Sequence, residues 1–556
     1  MLEILRDRAA RHPKWTLVLV TLAALLPFLA KPFNIDDPLF IWAAKQIQAH
    51  PGDPYGFNVE WGYREFPMSR VTENPPLACY YIALAAGILG WGEAGLHFVF
   101  LLPAIAVILG TYRLARRLCR SPGLASLITL FTPVFLVSAM TVMCDMLMLA
   151  FWIWAVALWI EGMEQRIFAP LIWSGVLASF AIVTKYYGVC LVPLLAAHGL
   201  IFNRRAGRWM LPLLLPLATV CIYQLATSSL YGSGLFGAAA HYASFAKEHY
   251  GFSKVSAGLI GLTFTGGCVA TAVFFAPLLW RPSTTVISTV TILAIVFFFL
   301  ASNALQKYPS IQAPSRPWAE LQMVFWALGG ISVLALATAE LWRRPDASSW
   351  LLALWVWGTF LFATLVNWTV NGRSILPLAP AVAILVARRL ELRESVRLGT
   401  QAVRLAFGAV IALLVVSADV SFANAVWNVS DQVSTKYSQS PGAHWFQGHW
   451  GFQYYLQEFG WSPVDFKSSP LASRDIVAVP SNNTNLLPPS PQKSKLLDTF
   501  TANRFAVAAT MDQSIGAGFY SSVWGPLPFA FGRPAPEQVM VYELKSPTVA
   551  TPENPK

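Results

Sequence analysis

The segment Ala94–Leu114, AGLHFVFLLPAIAVILGTYRL, runs without an acidic residue into Ala115-Arg116-Arg117-Leu118-Cys119-Arg120. A helix crosses the hydrocarbon core of a bilayer with about 20 apolar residues, so this stretch is long enough to span. Arg113, Arg116, Arg117 and Arg120 mark its cytoplasmic end, because short loops rich in Arg and Lys are retained inside. The polar, aromatic-rich residues before it, about 32–76, then lie outside the membrane. The first apolar stretch, Trp15–Ala30, follows Arg6, Arg8, Arg11 and Lys14. It reads as an anchor with a cytoplasmic N-terminus and not as a cleaved signal peptide, since many spans follow it.

Outward from this point the pattern repeats. Leu77–Leu89 is apolar but short and suits a helix lying at the interface. Further spans are expected near 123–141, 146–160, 170–184, 187–202, 209–228, 258–280, 285–302, 321–342, 349–366, 375–390 and 401–420, about thirteen crossings in all by this length criterion. The loops expected inside hold Arg166, Arg204, Arg205, Arg208, Arg281, Arg343, Arg344, Arg388, Arg389, Arg393 and Arg397, whereas the outside loops hold only scattered cations. An odd number of crossings leaves the C-terminal part outside.

Composition agrees. Of 556 residues, 56% are hydrophobic and 12% charged, against about 25% charged in an ordinary globular protein. So few charges could not cover a water-soluble surface of this size, and 22 Trp with 36 Phe suit lipid contact. The net charge of +11 comes from basic residues flanking apolar segments, which is an orientation signal and excludes a nucleic-acid footprint. Six scattered cysteines have no metal-site spacing and give no disulfide framework. The fold class is therefore an all-α polytopic membrane protein, residues 1–420, followed by a small α/β extracytoplasmic domain, 421–556. In the latter, Asp475–Val479, Phe505–Ala509 and Gln538–Glu543 read as strands and Ser481–Pro491 as a loop.

The chemistry-bearing residues lie in the outside loops. Asn34-Ile35-Asp36-Asp37-Pro38 places two adjacent carboxylates beside the bilayer, where they are costly unless solvated, paired or functional. Asp37 before Pro38 reads as a helix N-cap with a first-turn proline, which leaves Asp36 as the better candidate for chemistry. Asp145 opens a later helix at an outside turn, either as a cap or as a second acid at the same pocket. Glu73-Asn74-Pro75-Pro76-Leu77 stiffens the approach to the interfacial helix. Lys185 and Arg373 stand at outside span ends, where they could snorkel to headgroups or grip a phosphate. A divalent metal could sit beside Glu73 and the acidic pair, although no ligand spacing requires one. No Walker loop or GxGxxG is legible, and the cytoplasmic loops are too short to house a nucleotide-sugar domain, so an activated donor should be lipid-borne.

In this order, Asp36-Asp37, Glu73-Asn74-Pro75-Pro76-Leu77, Asp145 and Thr184-Lys185-Tyr186-Tyr187-Gly188 resemble the GT-C superfamily of membrane glycosyltransferases. The likeness is to the family of protein O-mannosyltransferases and the lipid A aminoarabinose transferase, and it covers about residues 15–420. Asn74 stands where that family usually has Lys, and Tyr186-Tyr187-Gly188 replaces a tighter Lys-Gly turn. Arg64, Arg70 or Arg316 could substitute in the donor grip.

The resemblance implies transfer of a monosaccharide from a polyprenyl-phosphate donor to an acceptor hydroxyl of a lipid, glycan or protein. It implies the outer face of a membrane, expected to be a bacterial inner membrane. Asp36 would be the general base, with Asp37 and Asp145 orienting; Lys185 and Arg373 would stabilise the leaving phosphate. The alternative is a transporter or flippase for a lipid-linked or amphipathic solute, which shares the many spans and needs no base.

Overall fold

The computed structural model describes residues 12–72, 74–250, 253–281, 286, 288–290, 292–293, 304–393 and 397–546. They form a predominantly helical bundle carrying a strand-rich cap at one end. Seven helices are long and apolar enough to cross a membrane: Glu93–Leu118, Asp145–Gln165, Tyr186–Asn203, Arg208–Tyr231, Arg316–Arg343, Ala347–Val366 and Leu398–Tyr437. The pair Pro122–Leu130 and Pro133–Ala139, bent by 64°, makes an eighth if counted as one span. Pro13–Phe28, Leu77–Leu89 and Phe168–Thr184 are shorter apolar helices.

The expected total of about thirteen, from window length, is therefore not reached among the described residues, and the reason is local. The apolar stretch 123–141 is interrupted at Thr132, whose side chain caps a new helix begun by Pro133. The stretch 258–280 breaks at Val269 into Lys254–Cys268, Ala270–Phe274 and Ala276–Leu279. The stretch 375–390 starts as a 3-10 turn, with only Ala379–Leu390 as α-helix. The span expected at 285–302 lies largely outside the described residues. Hydropathy windows measure composition; capping residues and prolines decide continuity.

Helices Lys254–Cys268 and Arg316–Arg343 cross at backbone contact. A Cβ on Gly266 would fall 1.9 Å from the Trp326 carbonyl oxygen, and one on Gly330 would fall 2.1 Å from that of Leu262. Small residues at a crossing are how apolar helices gain close packing where no hydrophobic force separates lipid from helix.

The two ends of the bundle differ in charge. At one end Arg113 and Arg117 pair with Glu161 and Glu164, and buried Arg388 pairs with Glu340 at 2.7 Å. At the other end the loop after the first helix folds under the C-terminal residues. Helix Asp37–Ala49, hairpin Asn58–Glu60 with Glu65–Pro67, and helix Leu77–Leu89 follow one another there.

Helix Leu398–Tyr437 continues unbroken through residue 420, so the strand-bearing region begins only at His444. Its five-stranded sheet has the order Ser462–Pro463, His444–Phe446, Ile476–Pro480, Glu537–Leu544, Ser494–Ala502. The first three strands are parallel and the last two antiparallel. Helix Trp450–Glu458 connects the parallel pair His444–Phe446 and Ser462–Pro463, as parallel strands need a crossover. Strands expected at Asp475–Val479 and Gln538–Glu543 appear as Ile476–Pro480 and Glu537–Leu544. Of Phe505–Ala509 only Ala508–Ala509 pairs, with Ala530–Phe531.

Candidate active site

The turn Asn34–Pro38 turns sharply, with Ile35 at φ 53°, a backbone region that β-branched side chains rarely occupy. Asp36 stands at the N-cap position of helix Asp37–Ala49 but makes no side-chain capping bond, and Asp37 is the first helical residue, one position later than its reading as the cap. The two carboxylates diverge. Fully buried Asp37 accepts hydrogen bonds from the backbone N–H of Asn34 (3.0 Å) and of Val142 (2.8 Å). It thereby ties the first loop to the turn that precedes helix Asp145–Gln165. Burial raises its pKa to about 6, against the opposing pull of Lys31.

Asp36 points instead to Arg373, whose Nη2 lies 2.8 Å from Asp36 Oδ2. Arg373 sits on the short helix Gly372–Ile375, fixed by Asn371, whose side chain accepts from the Ser374 N–H at 2.8 Å. Gly372 is needed there, since a Cβ would meet the Phe519 ring at 2.6 Å. Arg373 Nη1 is 3.9 Å from Asp145 Oδ2, and Asp145 Oδ1 is 2.5 Å from Lys185 Nζ. Burial opposes the charge on Arg373, but Asp36 and Asp145 overcome it and hold the guanidinium firmly protonated.

Four residues from four separate segments thus form a row of alternating sign, Asp36–Arg373–Asp145–Lys185. Asp145 is fully buried, whereas the Asp36 side chain keeps 26% of its exposure. Asp36 is therefore the acid that a second molecule can reach. Arg373 Nε and Asp145 Oδ2 have no hydrogen-bond partner, so the row has unused capacity.

Two cavities meet at Arg373. One, about 350 Å³, is mainly apolar and is lined by Lys185, Tyr186, Tyr187, Phe236, Phe362 and Trp368 among others. The second, about 450 Å³, is bounded by Asp36, Trp61, Trp450, Tyr520 and Trp524 among others. Asn74, Trp368, Asn371 and Arg373 belong to both walls. Arg64 lies over the Phe66 ring, and Arg316 pairs with Glu320 one helical turn on; these two and Arg70 line neither cavity. Glu73 lies outside the described residues. Among the described residues no three His, Cys, Asp or Glu side chains gather as a metal cluster.

Behind the row lies a network the sequence reading did not single out. Lys31 Nζ pairs with Asp419 Oδ2 at 2.6 Å and donates to the Met140 carbonyl at 2.9 Å. Asp419 also accepts from Thr510 (2.8 Å) and from the Tyr520 hydroxyl (3.1 Å), and the Tyr520 ring lies under Arg373, 5.8 Å from guanidinium carbon to centroid. One signal was available: Asp419 is an acid within an apolar stretch, where such residues are rare and mark function or pairing. Aromatic residues of the C-terminal region also converge near the site. His449, Tyr454 and Tyr455 are buried in the packing against the first loop, while Trp450 reaches the polar cavity.

Residues 73–231 match the family model described as dolichyl-phosphate-mannose-protein mannosyltransferase. That stretch contains Asn74, Asp145 and Lys185, and the match supports the resemblance to GT-C superfamily membrane glycosyltransferases. A search of the curated proteins finds no match. Among solved structures, the chain is similar to the apo oligosaccharyltransferase of Archaeoglobus fulgidus at 14% identity, covering 82% of this chain and 64% of that one, with a TM-score of 0.47. It thus spans under two thirds of the archaeal protein's length. It is also similar to ArnT from Cupriavidus metallidurans bound to undecaprenyl phosphate, at 16% identity, 84% and 92% coverage and a TM-score of 0.44. A third likeness is to the mycobacterial arabinofuranosyltransferase AftD, at 12% identity, 97% and 40% coverage and a TM-score of 0.38.

Proposed function

We propose that the protein transfers a monosaccharide from a polyprenyl-phosphate donor to an acceptor hydroxyl at the outer face of a membrane. The observation that carries this reading is the row Asp36–Arg373–Asp145–Lys185 set between an apolar and a polar cavity. The isoprenoid end of the donor occupies the apolar cavity, which brings its phosphate to Lys185 and Arg373. Arginine is suited to bidentate phosphate contact and lysine to a point-charge contact.

Phosphate drawn to Arg373 competes with Asp36 for the guanidinium and frees the carboxylate. Asp36 then takes the proton of the acceptor hydroxyl as that oxygen attacks the sugar C1. The bond from C1 to the phosphate oxygen breaks, and its electron pair leaves with polyprenyl phosphate, whose charge Arg373 and Lys185 neutralise. Asp145 holds the two cations in place, and a single displacement inverts C1. The outer-face orientation is supported by the arginine-rich loops at the opposite end of the bundle, and a bacterial inner membrane is the setting that suits such a donor.

The test is release of polyprenyl phosphate from a labelled polyprenyl-phosphate sugar by purified protein in detergent, without any gradient. Release with sugar appearing on an acceptor is expected. Movement of intact donor across vesicles with no bond cleavage would instead make the protein a flippase.

A further inference from the structure

The polar cavity on the Asp36 side has walls of unusual composition. Trp61, Trp368, Trp450 and Trp524 all line it. Their placement is organised: the Trp450 and Trp524 ring centroids lie 5.2 Å apart, and the Trp61 ring is braced by stacking on His449 at 4.6 Å. Between them the lining supplies neutral polar groups, among them Thr72, Asn74 and Thr484. Among the described residues, Asp36 and Arg373 are the only charged side chains in this lining, and they are paired with each other.

The backbone is also strained at this cavity. Ile35, Trp450 and Asn485 have φ of 53°, 65° and 57°, and all three line it. Asn adopts such an angle readily, but for the bulky Ile35 and Trp450 it is costly and persists where the surroundings enforce it, commonly at ligand sites. The left-handed turn at Trp450 starts helix Trp450–Glu458 and brings that indole to the cavity wall.

We propose that this cavity is a subsite for a neutral saccharide, which, on the reading above, is the acceptor. Sugar rings present C–H faces that pack on indole and hydroxyls that bond to amide and hydroxyl side chains, and the walls offer both. A phosphorylated or acidic acceptor would meet no cation among the described lining residues except Arg373, which on the reading above the donor phosphate takes up. A cationic acceptor would be set against Arg373. The cavity volume of about 450 Å³ falls within the range of small-molecule sites. Trp450, Trp524, Thr484 and Asn485 come from the C-terminal region, and Trp61, Thr72 and Asn74 from the first loop, so the cap shapes the acceptor side.

Saturation-transfer NMR on the purified full chain in nanodiscs tests this with three soluble probes: neutral trisaccharides of glucose, mannose and arabinose; glucose 6-phosphate; and an uncharged Ser/Thr peptide. Binding of at least one neutral trisaccharide is expected, weakened roughly tenfold or more in Trp61→Ala, as truncating an aromatic anchor usually does. It should also weaken in Thr484→Val, a conservative change that leaves the aromatic packing in place, and be unchanged in Trp173→Ala on the exposed bundle surface. Preference for the phosphate or the peptide, or no effect of either cavity variant, overturns the proposal. The two readings fail separately. Donor cleavage with no saccharide binding removes this subsite alone, whereas saccharide binding without any donor cleavage removes the transferase and leaves the subsite.

Discussion

Lys31 and Asp419, 388 residues apart in the chain, form an ion pair of 2.6 Å in which both side chains are 2% exposed. The pair joins the loop just after the first helix to the middle of the longest one. Through Tyr520 and Thr510 it extends into the C-terminal region. Removing one member leaves an uncompensated buried charge, which typically costs about 3–5 kcal/mol, whereas replacing both with apolar residues is often nearly neutral. Lys31→Ala should therefore lower the apparent melting temperature in detergent well below that of Lys31→Met combined with Asp419→Leu. Equal melting of the two variants would show that the pair is not what holds these segments.

Asp36 and Arg373 make separable contributions. Asp36→Asn removes the proposed base, so turnover should drop by about a hundredfold to ten-thousandfold, the usual worth of general base catalysis. A lipid-phosphate analogue should bind as tightly as before or more tightly, since its competitor for Arg373 is neutral. In Arg373→Ala the analogue should bind more weakly. Turnover within a few-fold of normal in Asp36→Asn would refute the base assignment.

Glu60, buried in the first loop, has a carboxyl pKa raised to about 8, chiefly by burial and then by the charges of Asp465 and Glu65. Its Oε1 has no hydrogen-bond partner. Because the folded pKa exceeds the unfolded value of 4.5, the folded state holds an extra proton between these limits, and stability falls as pH rises from about 4.5 to about 8. Glu60→Gln should thus melt close to the wild type near the lower limit and above it at the upper. A difference that does not change with pH would rule out this titration as its cause.

Sidedness is checked with cysteines. In a Cys221→Ser background, which removes the exposed native thiol, Gly52→Cys should react with an impermeant maleimide on intact cells. Arg166→Cys should react only after permeabilisation. The reverse pattern would place Asp36 in the cytoplasm and exclude a donor presented in the outer leaflet.

Leu77–Leu89 is a short apolar helix because its length falls short of a bilayer crossing, and that property is written in the sequence. Asp36, Asp145, Lys185 and Arg373 stood out because charge is costly beside apolar segments. Their order in space did not stand out, since Arg373 approaches Asp36 across 337 residues. Phe505–Ala509 looked like a strand because a short apolar run fits strand and buried loop equally well. Here only its last two residues pair.

Sequence alone determined the apolar helical character, the charge asymmetry between the two ends and the identity of the ionisable residues beside the bilayer, because hydropathy and charge are summed locally along the chain. The tertiary structure alone decided which helices run unbroken, which acid is sealed and which reachable, and that Tyr520 and four tryptophans close around Arg373 and Asp36. Those properties depend on distance and burial between segments hundreds of residues apart, and no local pattern encodes them.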